Sequence, residues 1–597
     1  MIPTAITTAI RYSYSKRYNL LFFILLVVSY YFNFWWFMQL VDRPIEATIY
    51  SSVALHWCSA LFLASSFFCF KSKTISLYLL AFIHLYLMAN LLYYRTYFTL
   101  MPIDSYTMIG NLNGLYDSVV SAIHTADTLL LIPTLLLSIS YRFFFRKRFS
   151  TSSLAPRMIT FSLIMSSIFA TIAINLYIER NEVSNLLSDE NEFKYDVVDG
   201  TSTYGFLHCW GWQLRTAFQG TQELTAAEKS KIETWLTAHH ATQDLSFVSS
   251  STNKNLIVLI VESLESFPIG KQLNHQVITP FLNELIRNEP CRYYPNMIPQ
   301  VNIGHSSDTQ LIFNTGLLPP LMGAACFKYP HNSYYTIPIA LHEKGYYTCT
   351  LLGGNGSFWN QGVVNKNYGF DDLISIEKFT DDESFEMGLT DSTFLDQSAT
   401  KLTAFRQPFM AQLITLSSHD PYRLIDNRMY FRCPKDTPKE LSRYLNAVNY
   451  VDKCIGLFIA KLKKSGLFQN SIILISGDHQ ATKQHPAEWS NYISKTWKSA
   501  MSRTPFIIIN GGDKKTDTSI AGQIDVYPTL LDLMNLHDYP WHGLGNSLLS
   551  RSKSAVAVNA QFEAFSNNNS ASKESIKKAR EAWEISDLII QHDYFNK

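Results

Sequence analysis

The stretch "NLIVLIVES" (255–263) decides the fold. An asparagine leads into six unbroken aliphatic residues, and Glu262 follows at once. A strand with one face in water alternates apolar and polar residues, so a run that is apolar at every position must be covered on both faces. Four more runs of this kind follow, "YYTCTLLGG" (346–354), "FMAQLITLSS" (409–418), "SIILISGDH" (471–479) and "TPFIIINGG" (504–512), with helical segments between them. Buried strands alternating with helices predict an α/β domain with a mostly parallel sheet and helices on both faces. In such sheets function gathers at the carboxyl ends of the strands.

Those ends carry a consistent chemistry. Glu262 follows the first run, His419 the third, and Asp478 with His479 the fourth. One carboxylate or imidazole after one strand is ordinarily a helix cap or a surface residue. Three strand ends bearing oxygen and nitrogen donors instead suit one divalent cation such as zinc, manganese or magnesium. Between them, "QVNIGHSSDTQLIFNTGLLP" (300–319) sets Ser306 and Ser307 at the mouth of an apolar, helix-like run. Serines at that position are commonly caps. A hydroxyl there can also use the helix dipole, and free N–H groups can hold phosphate oxygens, while it attacks or carries a phosphate. A neighbouring metal lowers the hydroxyl pKa, so the set supports phosphoryl-type transfer through a covalent intermediate. His305, beside Ser306, and His485, in the loop after His479, are candidates for substrate contact.

The rest of the 597-residue chain supplies the setting. A net charge of +1 offers no nucleic-acid surface, so no nucleic-acid partner is expected. Five apolar stretches, 20–41, 49–70, 75–94, 128–144 and 158–178, have a length and composition suited to membrane helices. Arg11, Lys16 and Arg17 precede the first, Lys71 and Lys73 separate the second and third, and Arg142, Arg146, Lys147, Arg148 and Arg157 lie between the fourth and fifth. The alternate loops carry only Arg43 and Arg95. The positive-inside rule therefore places the N-terminus in the cytoplasm and the chain after five crossings outside. The domains expected are a transmembrane region at 1–180, a helical connector at 181–252 containing "TAAEKSKIETWLTAHH", and an extracytoplasmic domain at 253–597. Six cysteines, Cys209, Cys291, Cys326, Cys349, Cys433 and Cys454, fall in the outer part, an even number where disulfides can persist.

The motifs "IVESLESF", "GHSSD", "FWN", "SSHDPY", "GDH" and "QIDVYPTLLDL", in that order over about residues 254–550, resemble the lipoteichoic acid synthase and phosphoglycerol transferase branch of the alkaline phosphatase/sulfatase superfamily. The five-helix anchor is similar to that branch as well. The resemblance implies one divalent metal, manganese or zinc, held by Glu262, Ser306, Asp478 and His479. It implies Ser306 as nucleophile and His419 in substrate binding or proton transfer, with Trp359 and Asn360 as pocket residues. It further implies a bacterial cytoplasmic-membrane, multi-pass transferase that takes a phosphoglycerol-type group from a phospholipid and passes it to an envelope glycan or lipid acceptor. The chain departs from the family pattern where Gly353, Gly354 and Asn355 replace a histidine-containing triplet and Gln361 replaces an arginine. That leaves open a phosphoethanolamine transferase acting on lipid A or another envelope glycan. A catalytically silent membrane sensor or scaffold is the remote reading, and it has no use for four metal ligands.

Overall fold

The computed structural model describes residues 4–41, 45, 50–70, 72–97, 100–101, 120, 123–146, 155–181, 197–218, 223–241 and 253–596, less 357, 386, 425–427, 429, 482–486, 498–500, 551–555 and 568–570. The chain divides into two compact units, one of residues 1–108 and 119–220, the other of 109–118 and 221–597.

The first unit is helical: α1 (Thr4–Leu40), α2 (Tyr50–Ala64), α3 (Thr74–Tyr97), α4 (Leu131–Ser140), α5 (Ala155–Asn181) and α6 (Val197–Phe218). Among the described residues three helical stretches are long and apolar enough to cross a membrane: Arg17–Leu40, Thr74–Arg95 and Thr125–Phe145. The last reaches that length because a 3-10 turn and a π turn extend α4 at its two ends. The other two expected stretches give shorter apolar helices, Ser52–Phe68 and Ile159–Ile174. Helix α6 breaks at Gly205, and side chains of α2 take up backbone groups beside the break. His56 Nε2 lies 3.1 Å from the Ser202 carbonyl, and the Leu207 N–H donates to Ser59 Oγ at 3.0 Å. Backbone polar groups in apolar surroundings require such partners.

The second unit opens with α7 (Ala226–His240), where Thr225 and Glu228 form a capping box. Among the described residues its main sheet has nine strands: β1 (Asn255–Val261), β2 (Cys291–Ile298), β3 (Tyr347–Leu352), β4 (Asp372–Ile374), β5 (Phe409–Ile414), β6 (Ser471–Gly477), β7 (Thr504–Ile509), β8 (Lys515–Thr516) and β9 (Ala521–Gly522). The order is β8-β2-β7-β6-β1-β5-β3-β4, with β9 also on β2. Every pairing is parallel except the two made by β7, which runs against both β6 and β2. The sheet is therefore mixed but mostly parallel, and the run at 504–512 supplies its one reversed strand. Composition fixes burial on both faces but leaves direction free.

Burial on both faces has a visible cause. Leu259 and Val261 of β1 share a core with Tyr444, Val448 and Val451 of α9 (Lys439–Lys464). On the other face lies α8 (Ser306–Thr315), all ten of whose residues are buried. Its Asn314 reaches Gln412 of β5 at 3.0 Å. Cys209, Cys291, Cys326, Cys349, Cys433 and Cys454 are all free thiols, so the even cysteine count does not reflect disulfides.

Candidate metal and nucleophile site

Central strand β1 and its parallel neighbour β6 end side by side, with Val261 opposite Gly477. Glu262 and Asp478 are thereby brought to the same edge. Gly477 can only be glycine, because a Cβ there would stand 2.0 Å from the Leu264 carbonyl. The turn after β1 passes through Ser263 at φ 54°, a conformation few non-glycine residues adopt. Ser263 repays this with two bonds. Its N–H donates to Asp478 Oδ1 at 2.7 Å, and its hydroxyl donates to Glu262 Oε1 at 2.7 Å.

Ser306 opens α8, and its Oγ donates to Glu262 Oε2 at 3.1 Å. The helix mouth is built by Asp308, whose buried Oδ2 accepts the N–H groups of Asn302 (2.8 Å) and Gly304 (2.9 Å). A Cβ on Gly304 would fall 2.1 Å from Asp308 Oδ1, which accounts for the glycine of "GHSSD". Burial pushes the Asp308 carboxyl up to about 7, against those two bonds. The N–H groups of Ser307, Asp308 and Thr309 are taken by the carbonyls of Gly304 and His305. The helix thus offers its dipole at this point, and the expected set of free N–H groups for phosphate is not found there. Ser307 is not a cap either. The cap position belongs to His305, without a side-chain bond, and the Ser307 hydroxyl faces the Cys326 thiol.

One ligand atom each from Glu262, Asp478 and His479 lies within 4.8 Å of the others, and all three residues are buried. His479 Nε2 is 3.4 Å from both Glu262 Oε1 and Asp478 Oδ2. Its Nδ1 lies 2.9 Å from the Gln480 carbonyl. A carbonyl only accepts, so Nδ1 carries the proton and Nε2 is left as a lone-pair donor. Asp478 Oδ1 accepts the N–H groups of Ser263 and His479, whereas Oδ2 is buried with no hydrogen-bond partner among the described residues. A fully buried carboxylate oxygen left in that state fits a cation. The electrostatics agree. Burial and then the Glu262 charge push Asp478 up to about 7. Burial would also raise Glu262, but His479 and His419, with the Ser263 and Ser306 bonds, hold it below its ordinary value. Burial disfavours the charged His479, yet Asp478 and Glu262 hold it above its usual range.

The other expected residues take distinct places. His305, at φ 43°, sets its ring edge-on to His479 with centroids 4.9 Å apart. His419 is half-buried past the end of β5, its Nδ1 2.6 Å from the Asp420 carbonyl. Trp359 and Asn360 form a turn in which both have positive φ. Asn360 Nδ2 donates to the Cys326 carbonyl at 2.9 Å, tying that turn to the short helix Ala325–Lys328. Gln361 is turned inward, accepting from Asn365 Nδ2 at 2.6 Å, while Asn365 accepts from Thr350. Its Oε1 is thus engaged by Asn365, one turn along its own helix. His485 lies outside the described residues.

Several bracing residues were not foreseen. Thr415 Oγ1 accepts the Glu262 N–H at 3.0 Å, and Ser418 Oγ donates to the Glu262 carbonyl at 2.5 Å. Asp391 accepts the N–H groups of Leu416 (2.8 Å) and Ser417 (3.2 Å), fixing the turn that leads to His419. Thr415 and Ser418 lie inside "FMAQLITLSS" and Gln523 inside "QIDVYPTLLDL", whereas Asp391 falls in no stretch singled out from the sequence.

Two family models match the chain: the lipoteichoic acid synthase N-terminal domain over residues 6–207 and sulfatase over residues 254–536. The chain is 28% identical over 492 residues to lipoteichoic acid synthase 1 of Bacillus subtilis, spanning 78% of this chain and 74% of that protein. This is a lipoteichoic acid synthase-like member of the alkaline phosphatase/sulfatase superfamily. It is 26% identical over 485 residues to the lipoteichoic acid synthase of Staphylococcus aureus, spanning 79% of this chain and 74% of that protein. The crystal structure of a lipoteichoic acid synthase from Listeria monocytogenes shares the fold, with a TM-score of 0.52 and 23% identity over 60% of this chain and 98% of that one. The synthase-like protein is a membrane phosphotransferase by class. Members of the superfamily are metal-dependent, and Glu262, Asp478 and His479 form the possible metal site in this one.

Proposed function

We propose that this synthase-like protein moves a phosphoglycerol-type head group from a membrane phospholipid to an envelope glycan or lipid acceptor, by way of a phosphoserine at Ser306. The observation that carries this reading is the Ser306 hydroxyl 3.1 Å from Glu262, in a buried set whose Asp478 Oδ2 has no hydrogen-bond partner among the described residues. The lipoteichoic acid synthases that the chain resembles over most of its length support the choice of head group. One divalent ion, manganese or zinc, held by Glu262, Ser306, Asp478 and His479, would draw charge from the serine oxygen and the phosphoryl group when bound.

The residues then divide the work. Ser306 Oγ passes its proton to Glu262 Oε2, to which it already donates, and bonds to phosphorus as the bond from phosphorus to the diacylglycerol oxygen breaks. His419, with its Nδ1 proton engaged by the Asp420 carbonyl, gives a proton from Nε2 to the departing oxygen. In the second half an acceptor hydroxyl loses its proton to His419, its oxygen bonds to phosphorus, the bond to Ser306 Oγ breaks, and Oγ recovers its proton from Glu262. His305 borders the phosphoryl position beside His479. Trp359 and Asn360 shape the head-group pocket. Five membrane crossings with the second unit outside would keep the donor at the bilayer surface.

Mass spectrometry after incubation with labelled phosphatidylglycerol or phosphatidylethanolamine tests the reading. The expected adduct is glycerol phosphate on Ser306. An ethanolamine phosphate adduct would move the protein to the other transferase class, and an adduct on another residue would refute the nucleophile.

A further inference from the structure

We infer that Gln523 is a positioning residue of the metal centre, acting through the Asp478–His479 peptide. The inference rests on the metal-centre reading of Glu262, Asp478 and His479. The last ladder bond of β6 runs from the Asp478 N–H to the Val261 carbonyl at 3.2 Å. Beyond it, the Asp478 carbonyl leaves the sheet and needs other donors. Two are provided, both buried. Thr309 Oγ1, one turn along α8 from Ser306, donates to it at 2.8 Å, and Gln523 Nε2 donates from the other side.

The orientation of the Gln523 amide is fixed by its far end. Gln523 Oε1 accepts the Gln300 N–H at 2.6 Å, which leaves only the NH2 group for the Asp478 carbonyl. Gln300 is itself locked. Its Oε1 accepts the Ile524 N–H (3.0 Å) and its Nε2 donates to the Val558 carbonyl (2.9 Å). This reciprocal pair of glutamines is a rigid bracket rather than a flexible contact. Rotation of the Asp478–His479 peptide would swing both proposed ligands at once and lift Asp478 Oδ1 from the two N–H groups that aim Oδ2 at the cluster. Because Thr309 shares the carbonyl, the bracket also sets the ligand pair against the nucleophile helix. Outer partners of metal ligands act in this way.

Gln523→Glu keeps the shape and the acceptor for Gln300 but places an oxygen against the Asp478 carbonyl. Titration of the purified full-length protein in detergent with Mn2+ should show about 10–100-fold weaker binding. At saturating Mn2+ the KM for a phosphatidylglycerol analogue should stay unchanged. Thr309→Val, which removes the other donor, should weaken Mn2+ in the same direction and serves if Gln523→Glu does not fold. Asn510→Ala, at the opposite end of β6, is the control for general destabilisation and should bind Mn2+ as the wild type does. Unchanged affinity in both Gln523→Glu and Thr309→Val would overturn the inference, as would an equal loss in Asn510→Ala. A wild-type protein that binds neither Mn2+ nor Zn2+ would instead remove the metal-centre reading, and the inference with it.

Discussion

Strands β6 and β7 lie side by side and are made of nearly the same material. "SIILISG" and "TPFIII" are both buried at every position. They run in opposite directions. Strand β6 follows β1 and ends at Asp478 and His479. Strand β7 ends at the other edge, where Asn510 Nδ2 donates to the carbonyls of Phe468 (2.7 Å) and Ser471 (3.1 Å) at the root of β6. What β7 brings to the site's edge is its beginning, where the Ser502 N–H donates to buried Glu265. Equal composition gives equal burial; direction decides which strand carries chemistry.

The contrast breaks if turnover does not depend on the end of β6 and the serine facing it. Ser306→Ala should lower transfer by at least about 10³-fold and leave no covalent adduct, because it removes the only atom assigned to attack. Single-turnover assays with labelled donor would show this, and residual burst formation in the variant would sink the assignment. Asp478→Asn should come next. It keeps the N–H contacts at Oδ1 but weakens the donor at Oδ2, so metal affinity should fall by at least about 10²-fold, beyond the usual loss for an outer partner. Elemental analysis showing full metal occupancy after dialysis would take Asp478 out of the ligand set.

Asn510→Ala probes the other strand end, and the expected effect changes in kind as well as size. Two hydrogen bonds to backbone carbonyls are lost, for about 1–2 kcal/mol of stability. Turnover per folded molecule should match the wild type. Thermal unfolding and specific activity, measured together, would decide. A fall in specific activity without a fall in melting temperature would show that the β7 end does contribute to the chemistry.

The difference in legibility between these regions is physical. β1 and β6 can be read from unbroken aliphatic runs, and Glu262, Asp478 and His479 from their place just after them. The reversal of β7 cannot, since residues 478–503 could as well make a crossover as a return. The bracket around Asp478 was hidden for another reason. Gln523 is distant in sequence and meets the Asp478 carbonyl only because β9 pairs with β2. In the helical unit, the stretch at 49–70 reads as one span, but a turn at Ser65 divides it into Tyr50–Ala64 and Ser66–Cys69.

The smallest effect belongs to Ser307, where position again separates two identical side chains. Ser306 and Ser307 are adjacent, both buried and both in the first turn of α8. Successive helical residues point about 100° apart, so both cannot face Glu262. Ser306 does, and the Ser307 hydroxyl turns to the Cys326 thiol, which burial above all keeps protonated. A hydroxyl–thiol contact is weak, and alanine is a better helix former than serine. Ser307→Ala should therefore cost no more than about 0.5 kcal/mol of stability and leave the adduct on Ser306 intact. A modest rise in KM is the one functional change expected, because the Cys326 carbonyl holds Asn360 of the proposed pocket. Peptide mapping of the labelled variant, with KM and kcat measured separately, settles the matter: loss of the adduct would make Ser307 the nucleophile and reverse the assignment.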